Sequence, residues 1–113
     1  MRQLLDYAED DLAALFTTQR DWHLLFIECW IRAVRDPERR AEWARQRRAA
    51  RAVIADFFER HAAAAGDPLP APAADLAVAA MALSNSLAME YIADPESGDP
   101  GLFARMLAQL VTA

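Results

Sequence analysis

The sequence predicts an all-α fold of five helices, and three observations support that prediction. Apolar residues recur every three or four positions along most of the 113 residues, and no stretch alternates as a strand would. Turn-forming residues divide the chain near Thr18, near Asp36 and in the segments 66–72 and 94–99. The segment Trp22–Arg35 is apolar almost all the way round, which indicates a helix buried on most faces. We therefore expect an orthogonal and antiparallel bundle with this helix at its centre.

The first predicted helix runs from about Gln3 to Phe16, before a short break near Thr18. It is amphipathic, with acidic residues on one face and an apolar face formed by Leu5, Ala8, Leu12 and Leu15. The second predicted helix is the segment Trp22–Arg35. It ends at Asp36-Pro37, because proline can begin a helix but cannot continue one.

The third predicted helix is the longest. Asp36 suits its N-cap, Pro37 suits its first helical position, and Gly66 suits its C-terminal end. Its expected buried stripe consists of Trp43, Ala50, Ile54, Phe57 and His61. The opposite side, which we expect to face solvent, carries Arg45, Arg48, Ala52 and Glu59.

The fourth predicted helix runs from about Ala73 to Ala93 and has two apolar faces. One face consists of Val78, Met81, Asn85, Met89 and Ile92, and the other of Leu76, Ala80, Leu83, Leu87 and Tyr91. A helix with two apolar faces is expected to be buried on both, and therefore to pack against two different partners. We interpret these partners as the core of its own subunit and a second subunit. The fifth helix begins at Asp99-Pro100 after the loop 94–99, and it is also mostly apolar.

Composition places the chain among small soluble domains that need a partner or a ligand. A content of 55% hydrophobic residues in 113 is high for one domain, and surplus apolar surface usually marks a subunit interface or a cavity. Charged residues interrupt the longest apolar runs, so we expect no membrane span. The acidic N-terminus lacks a signal peptide core, and the single cysteine, Cys29, excludes a disulfide staple. Both features predict a cytoplasmic protein, and the net charge of −5 disfavours nucleic-acid binding by this chain.

The sequence contains no pattern typical of an active site. His23 and His61 lie on different helices without metal-ligand spacing, and there is no glycine-rich phosphate loop. Ser84 and Ser86 lie within a helix rather than in a nucleophile elbow. A pair formed by Cys29 and His23 would point in different directions on one helix. We expect no enzyme activity, no catalytic residue, no metal and no cofactor.

Three segments together resemble one protein family. They are DWHLLFIECWIRAVRDPERRAEW, LAVAAMALSNSLAMEYIADP and DPGLFARMLAQL, in that order. This order is similar to that of the C-terminal domain of TetR-type transcriptional regulators, in which an aromatic-rich helix ends at Arg-Asp-Pro, a long helix follows, and two helices form a dimer. The resemblance implies that fold, a homodimer formed by the last two helices, and an effector pocket beside the aromatic-rich helix.

The chain departs from the family pattern in two places. Asn85-Ser86 stands where the family commonly has Asp-Gly or a similar pair, so helix packing there is expected to differ. Nothing before Gln19 resembles a recognition helix with basic flanks, so we expect residues 1–113 to form one effector-binding and dimerisation domain without the N-terminal helix-turn-helix domain. DNA would then be contacted only through such a domain.

Two sets of residues follow from the pattern and the resemblance. The candidate ligand-binding residues are Trp22, His23, Phe26, Trp30, Phe57, Met81, Asn85 and Met89. The candidate dimer-interface residues are Leu76, Ala80, Leu83, Leu87, Tyr91, Phe103, Met106 and Leu110. His23 is either a pocket group or a core histidine, and Asn85 bonds across the dimer, within the core or to a ligand, because an unmet buried amide costs roughly 1–3 kcal/mol.

Charged residues on the second and third helices have structural and functional interpretations. Glu28 and Arg32 are spaced for a helix ion pair, which we favour over a site for a polar effector. The arginines between residues 39 and 51 are explained mostly by a solvated face rather than by DNA contact, and the stem of Arg47 is expected to lie on the core.

The sequence therefore predicts the sensing and dimerisation domain of a TetR-type regulator. Its effector would be small and apolar or aromatic, would bind among the first four helices, and would change the geometry of attached DNA-binding heads. The resemblance favours repression. The alternative, from another functional class, is a stand-alone helical dimerisation or scaffold module with no ligand.

Overall fold

The computed structural model describes residues 20–112, which are almost entirely helical and contain no strand. The α-helices are α1 (Arg20–Arg35), α2 (Pro37–Ala65), α3 (Ala73–Ala93) and α4 (Leu102–Val111). A single 3-10 turn, η1 (Pro95–Ser97), lies between α3 and α4. Helices α1 to α4 correspond to the second to fifth predicted helices, and the predicted helix from Gln3 to Phe16 lies outside the described residues.

Both ends of α2 have the capping chemistry that the sequence predicts. Asp36 has extended backbone angles, and its carboxylate Oδ1 accepts a hydrogen bond from the amide of Glu38 at 3.1 Å, with Pro37 at the first helical position. At the other end, Gly66 adopts a left-handed conformation with φ of 74°. Its amide and that of Asp67 bond to carbonyls of the last turn, which ends the helix.

The start of α4 differs from the prediction by two residues. The carboxylate of Asp99 accepts a hydrogen bond from the Gly101 amide at 3.0 Å, and its carbonyl accepts one from the Leu102 amide at 3.0 Å. Asp99 therefore stabilises the turn formed by Pro100 and Gly101, but it is not the helix cap that the sequence predicts. The N-cap position is Gly101, and the regular helix begins at Leu102. The loop predicted over 94–99 contains the turn η1, which proline and aspartate at its start favour.

The core is formed by α2, α3 and α4. Its buried residues include Phe58, Leu76, Ala80, Phe103, Leu107 and Val111. Helix α3 packs against α2, α4 and η1, whereas α1 packs mainly against α2. The central helix is therefore α3.

The expectation that Trp22–Arg35 forms the buried centre is wrong. Within α1 the buried residues are His23 and Ala33, whereas Trp22, Leu25 and Trp30 are 57%, 56% and 49% exposed. Cys29 is also exposed. The number of apolar faces on a helix shows how much of its surface is favourable to bury. How much is actually buried depends on the neighbouring elements, and the main described neighbour of α1 is α2.

The buried aromatic residue of α2 is Phe58 rather than Phe57. Phe58 is 2% exposed and belongs to the core, whereas Phe57 is 38% exposed and stacks against His61 with ring centroids 4.0 Å apart. Residues next to each other on a helix differ by about 100° in direction, so which of the two rings is buried depends on how α2 is rotated about its axis against its neighbours.

Helix α3 is long and apolar enough to cross a membrane by length and composition, contrary to the expectation that charge interrupts every such run. The core helix of a soluble protein meets the same criteria, so this property is weak support for a span. Only 28% of its most apolar stretch is buried, which leaves one side of α3 without cover among the described residues.

Candidate functional site

A cluster of aromatic rings joins α1 to α2, with Phe26 at its centre. The Phe26 ring stacks with Trp22 at a centroid distance of 5.8 Å and with His23 at 5.9 Å. From α2, Trp43 approaches the same ring to 5.0 Å, and the guanidinium of Arg47 lies 5.4 Å from its centroid. We refer to these five residues as the Phe26 cluster. Three of them, Trp22, His23 and Phe26, are predicted ligand-binding residues.

The spacing of α1 explains why three members of this cluster meet. Trp22 and His23 precede Phe26 by four and three residues, so all three share one side of the helix. Asp36 and Pro37 turn the chain at the end of α1, and α2 then packs along it. Trp43 and Arg47, which are four residues apart, face the same ring from α2.

His23 is the buried polar residue of the cluster. The residue is 2% exposed, and its Nε2 atom has no hydrogen-bond partner among the described residues. Burial lowers the pKa of His23 below its ordinary value, because the charged imidazolium loses hydration. The ring is therefore neutral near pH 7, and Nε2 can accept or donate one hydrogen bond, depending on the tautomer.

Arg47 of the cluster has a second arginine, Arg51, nearby, and neither forms an ion pair with a described carboxylate. Arg47 is half-buried, and burial, followed by the nearby charge of Arg51, lowers the pKa of its guanidinium. Glu42, an acidic residue close to Arg47 along α2, accepts hydrogen bonds from Arg45 and Gln46 instead. The expectation that Arg47 lies against apolar surface is confirmed by its position over Phe26.

The other predicted ligand-binding residues are more dispersed. Trp30 on α1 is exposed, and Phe57 on α2 contacts His61 rather than the Phe26 cluster. Met81 and Asn85 on α3 are half-buried, whereas Met89 is 50% exposed. Because α1 and α3 pack mainly on α2 and not extensively on each other, a pocket shared by α1 and α3 stays a prediction.

Half of the residues predicted for the dimer interface are buried inside the subunit, and the interface itself stays a prediction. Leu76, Ala80, Tyr91 and Phe103 are buried, and Leu83, Leu87, Met106 and Leu110 are half-buried. The half-buried leucines pack against the core of α2, α3 and α4. The side of α3 that faces outward instead carries Val78, Ala82 and Met89.

Two members of the cluster were absent from the predicted ligand-binding set. Trp43 was assigned to the buried stripe of α2 and Arg47 to its apolar edge, so the residues themselves carried a signal. Their position beside Phe26 depends on how α2 packs along α1. The turn at Asp36-Pro37 indicates that the two helices pack together but does not specify which residues meet.

A separate open groove of about 390 Å³ lies near Ala62, Leu69 and Val111 and includes no predicted ligand-binding residue.

The Glu28–Arg32 ion pair is not formed in the structure. Ion pairs among the described residues include those of Arg39 with Asp36, Arg45 with Glu42, Arg60 with Asp56 and Arg105 with Asp99. All are exposed, so each contributes little to stability.

Comparison with known families gives a match that covers nearly the whole chain. The family model described as "Tetracyclin repressor-like, C-terminal domain" matches residues 2–113. The match covers nearly the whole chain, including residues before Asp21, where the three quoted segments begin. Comparisons with curated proteins and with solved structures found no significant match.

Proposed function

The chain belongs to the tetracyclin repressor-like C-terminal domain family, and we propose that it is the effector-sensing and dimerisation domain of a transcriptional regulator. The match over residues 2–113 is the observation that carries this proposal. Domains of this family are regulatory rather than enzymatic, and their regulators typically dimerise and bind small-molecule effectors. These regulators are soluble and typically cytoplasmic.

The proposed mechanism is a shift between two arrangements of the helices. A small apolar or aromatic effector binds among the helices of the domain and has higher affinity for one arrangement. The change alters the spacing of DNA-binding heads attached to the two subunits, and by linkage DNA binding changes effector affinity by the same factor. Repression is the output that the family resemblance favours.

Two features of the described residues support sensing. His23 has a buried nitrogen that no described residue bonds, and a polar group that is costly to leave unsatisfied is one that a ligand can satisfy. The exposed rings of Trp22 and Trp30 give α1 more apolar surface than a finished subunit normally presents.

One feature supports dimerisation. Helix α3 is apolar on its outward side, where Val78 and Met89 are 51% and 50% exposed. Between them lies Ala82, whose small side chain allows another helix to approach closely. A two-fold contact is self-complementary, so this single apolar side per subunit suffices for a dimer, with α4 completing the interface.

Thermal denaturation in the presence of a library of aromatic compounds tests the sensing proposal. A compound that binds the folded form alone raises the melting temperature, by mass action. We expect such a compound to raise Tm for the wild-type chain and to have a smaller effect on His23→Leu. A dimer whose Tm responds to no compound would instead support the alternative of a scaffold module without a ligand.

A further inference from the structure

Two groups of the Phe26 cluster that contact the Phe26 ring could bind a ligand: an exposed aromatic ring and a cationic group. Trp22 is 57% exposed, although its ring stacks on Phe26, so much of the indole remains open. Arg47 lies over the same phenyl ring from α2. The open indole and the guanidinium are therefore both within 6 Å of one ring centroid.

The guanidinium of Arg47 lacks an anionic partner among the described residues. The described ion pairs involve other arginines, and Arg51 adds a second positive charge beside it. A guanidinium carries five N–H donors in a fork that matches a carboxylate, and partial burial strengthens such a pair. Contact with Phe26 restricts its orientation, so less freedom is lost when an anion binds.

We propose that the effector is an aromatic carboxylate bound at the Phe26 cluster. Its ring stacks on the open face of Trp22, and its carboxylate accepts hydrogen bonds from Arg47, with Arg51 contributing charge. A neutral aromatic compound satisfies the indole but leaves both arginines without an anion. This inference rests on the proposed sensing function and specifies the chemical class of its ligand.

Titration calorimetry of the 113-residue chain with 2-naphthoate and with its neutral isostere 2-naphthamide tests the inference. We expect the acid to bind at least about tenfold more tightly than the amide, as a charged hydrogen-bonded pair provides. Arg47→Gln should weaken binding of the acid by at least about tenfold and change binding of the amide little. Arg48→Gln, at the exposed neighbouring position, is the matched control and should bind the acid as the wild type does.

Trp22→Ala provides a second variant whose folding is less affected, because more than half of the side chain is exposed. It should weaken binding of both naphthyl compounds. Equal affinity for acid and amide, or unchanged binding of the acid by Arg47→Gln, would overturn the inference.

The outcomes separate this inference from the proposed function. If a neutral aromatic compound raises Tm while 2-naphthoate fails to bind at millimolar concentration, the ligand class is wrong and sensing stands. If neither the naphthyl compounds nor any member of the aromatic library binds, both proposals fail.

Discussion

His23 has a buried Nε2 atom without a hydrogen-bond partner among the described residues. Such an atom costs roughly 1–3 kcal/mol of stability when no ligand satisfies it, and the proposed sensing function would use the same atom. Residues that break a local rule in this way are expected at functional sites. The same ring stacks on Phe26, so its position is fixed relative to the proposed ligand surface.

Substitution of His23 should change both stability and its dependence on pH. Burial lowers the pKa of His23 in the folded protein. As the pH falls below about 6.5, the unfolded chain therefore binds more protons than the folded chain does, and the free energy of unfolding decreases. This part of the stability is fully present above that pH. His23→Leu and His23→Gln should both lose this pH dependence, as measured by urea unfolding between pH 7.5 and 5.5.

The two variants should differ at pH 7.5. His23→Leu removes the unpartnered nitrogen and should be at least as stable as the wild type, whereas His23→Gln keeps unmet polar atoms and should be less stable than His23→Leu by roughly 1–3 kcal/mol. An identical pH slope in all three proteins would mean that His23 is not protected from protonation by burial.

Single residues with local roles were predicted well from the sequence. The cap formed by Asp36 and the left-handed Gly66 depend on a few neighbouring backbone groups, so the residue types alone indicate them. The exchange of Phe57 for Phe58 has a different cause, because which of two adjacent rings is buried depends on how α2 is rotated against α3.

At the scale of helices, Gly66 ends α2 through its backbone conformation. Its φ of 74° is unfavourable for a residue with a Cβ, although an added Cβ would have no neighbour within 4 Å. Gly66→Ala should therefore cost about 1 kcal/mol through backbone strain alone. Urea denaturation measures this loss as a lower midpoint with an unchanged slope.

Gly98→Ala is the matched control for the strain at Gly66. Gly98 has an ordinary φ of −73°, and its added Cβ would meet Tyr91 and the Pro95 carbonyl at 3.4 Å, which is normal contact. We expect a change within about 0.5 kcal/mol. Equal losses at the two glycines would show that the left-handed conformation is not the cause.

Helix boundaries were predicted more accurately than helix surroundings. The bounds of α3, Ala73–Ala93, follow from the prolines before it and Asp94-Pro95 after it. Its two apolar faces are also recognised in the sequence, but the neighbour of each face depends on packing: Leu76 and Tyr91 are buried in the subunit, whereas Val78 and Met89 are about half exposed. Periodicity identifies apolar faces but contains no information about which partner covers each one.

At the scale of the whole molecule, the described chain is a thin slab. Its smallest extent is 18 Å, which fits two layers of helices with axes about 8–10 Å apart but not three layers. A slab of this thickness cannot cover α3 on both sides, and it leaves α1 open as well. The high apolar content is thus explained by surface that needs partners rather than by a large single core.

Light scattering of the purified 113-residue chain at micromolar concentration tests the central claim most directly. The account predicts a mass of twice the 12.6 kDa of one chain. Val78→Glu and Met89→Glu should reduce the mass to that of the monomer, because each places two unpaired charges in the interface. Val53→Glu, at a position 71% exposed on α2, should remain a dimer. A wild-type mass of 12.6 kDa would contradict the account of a dimerising, sensing domain.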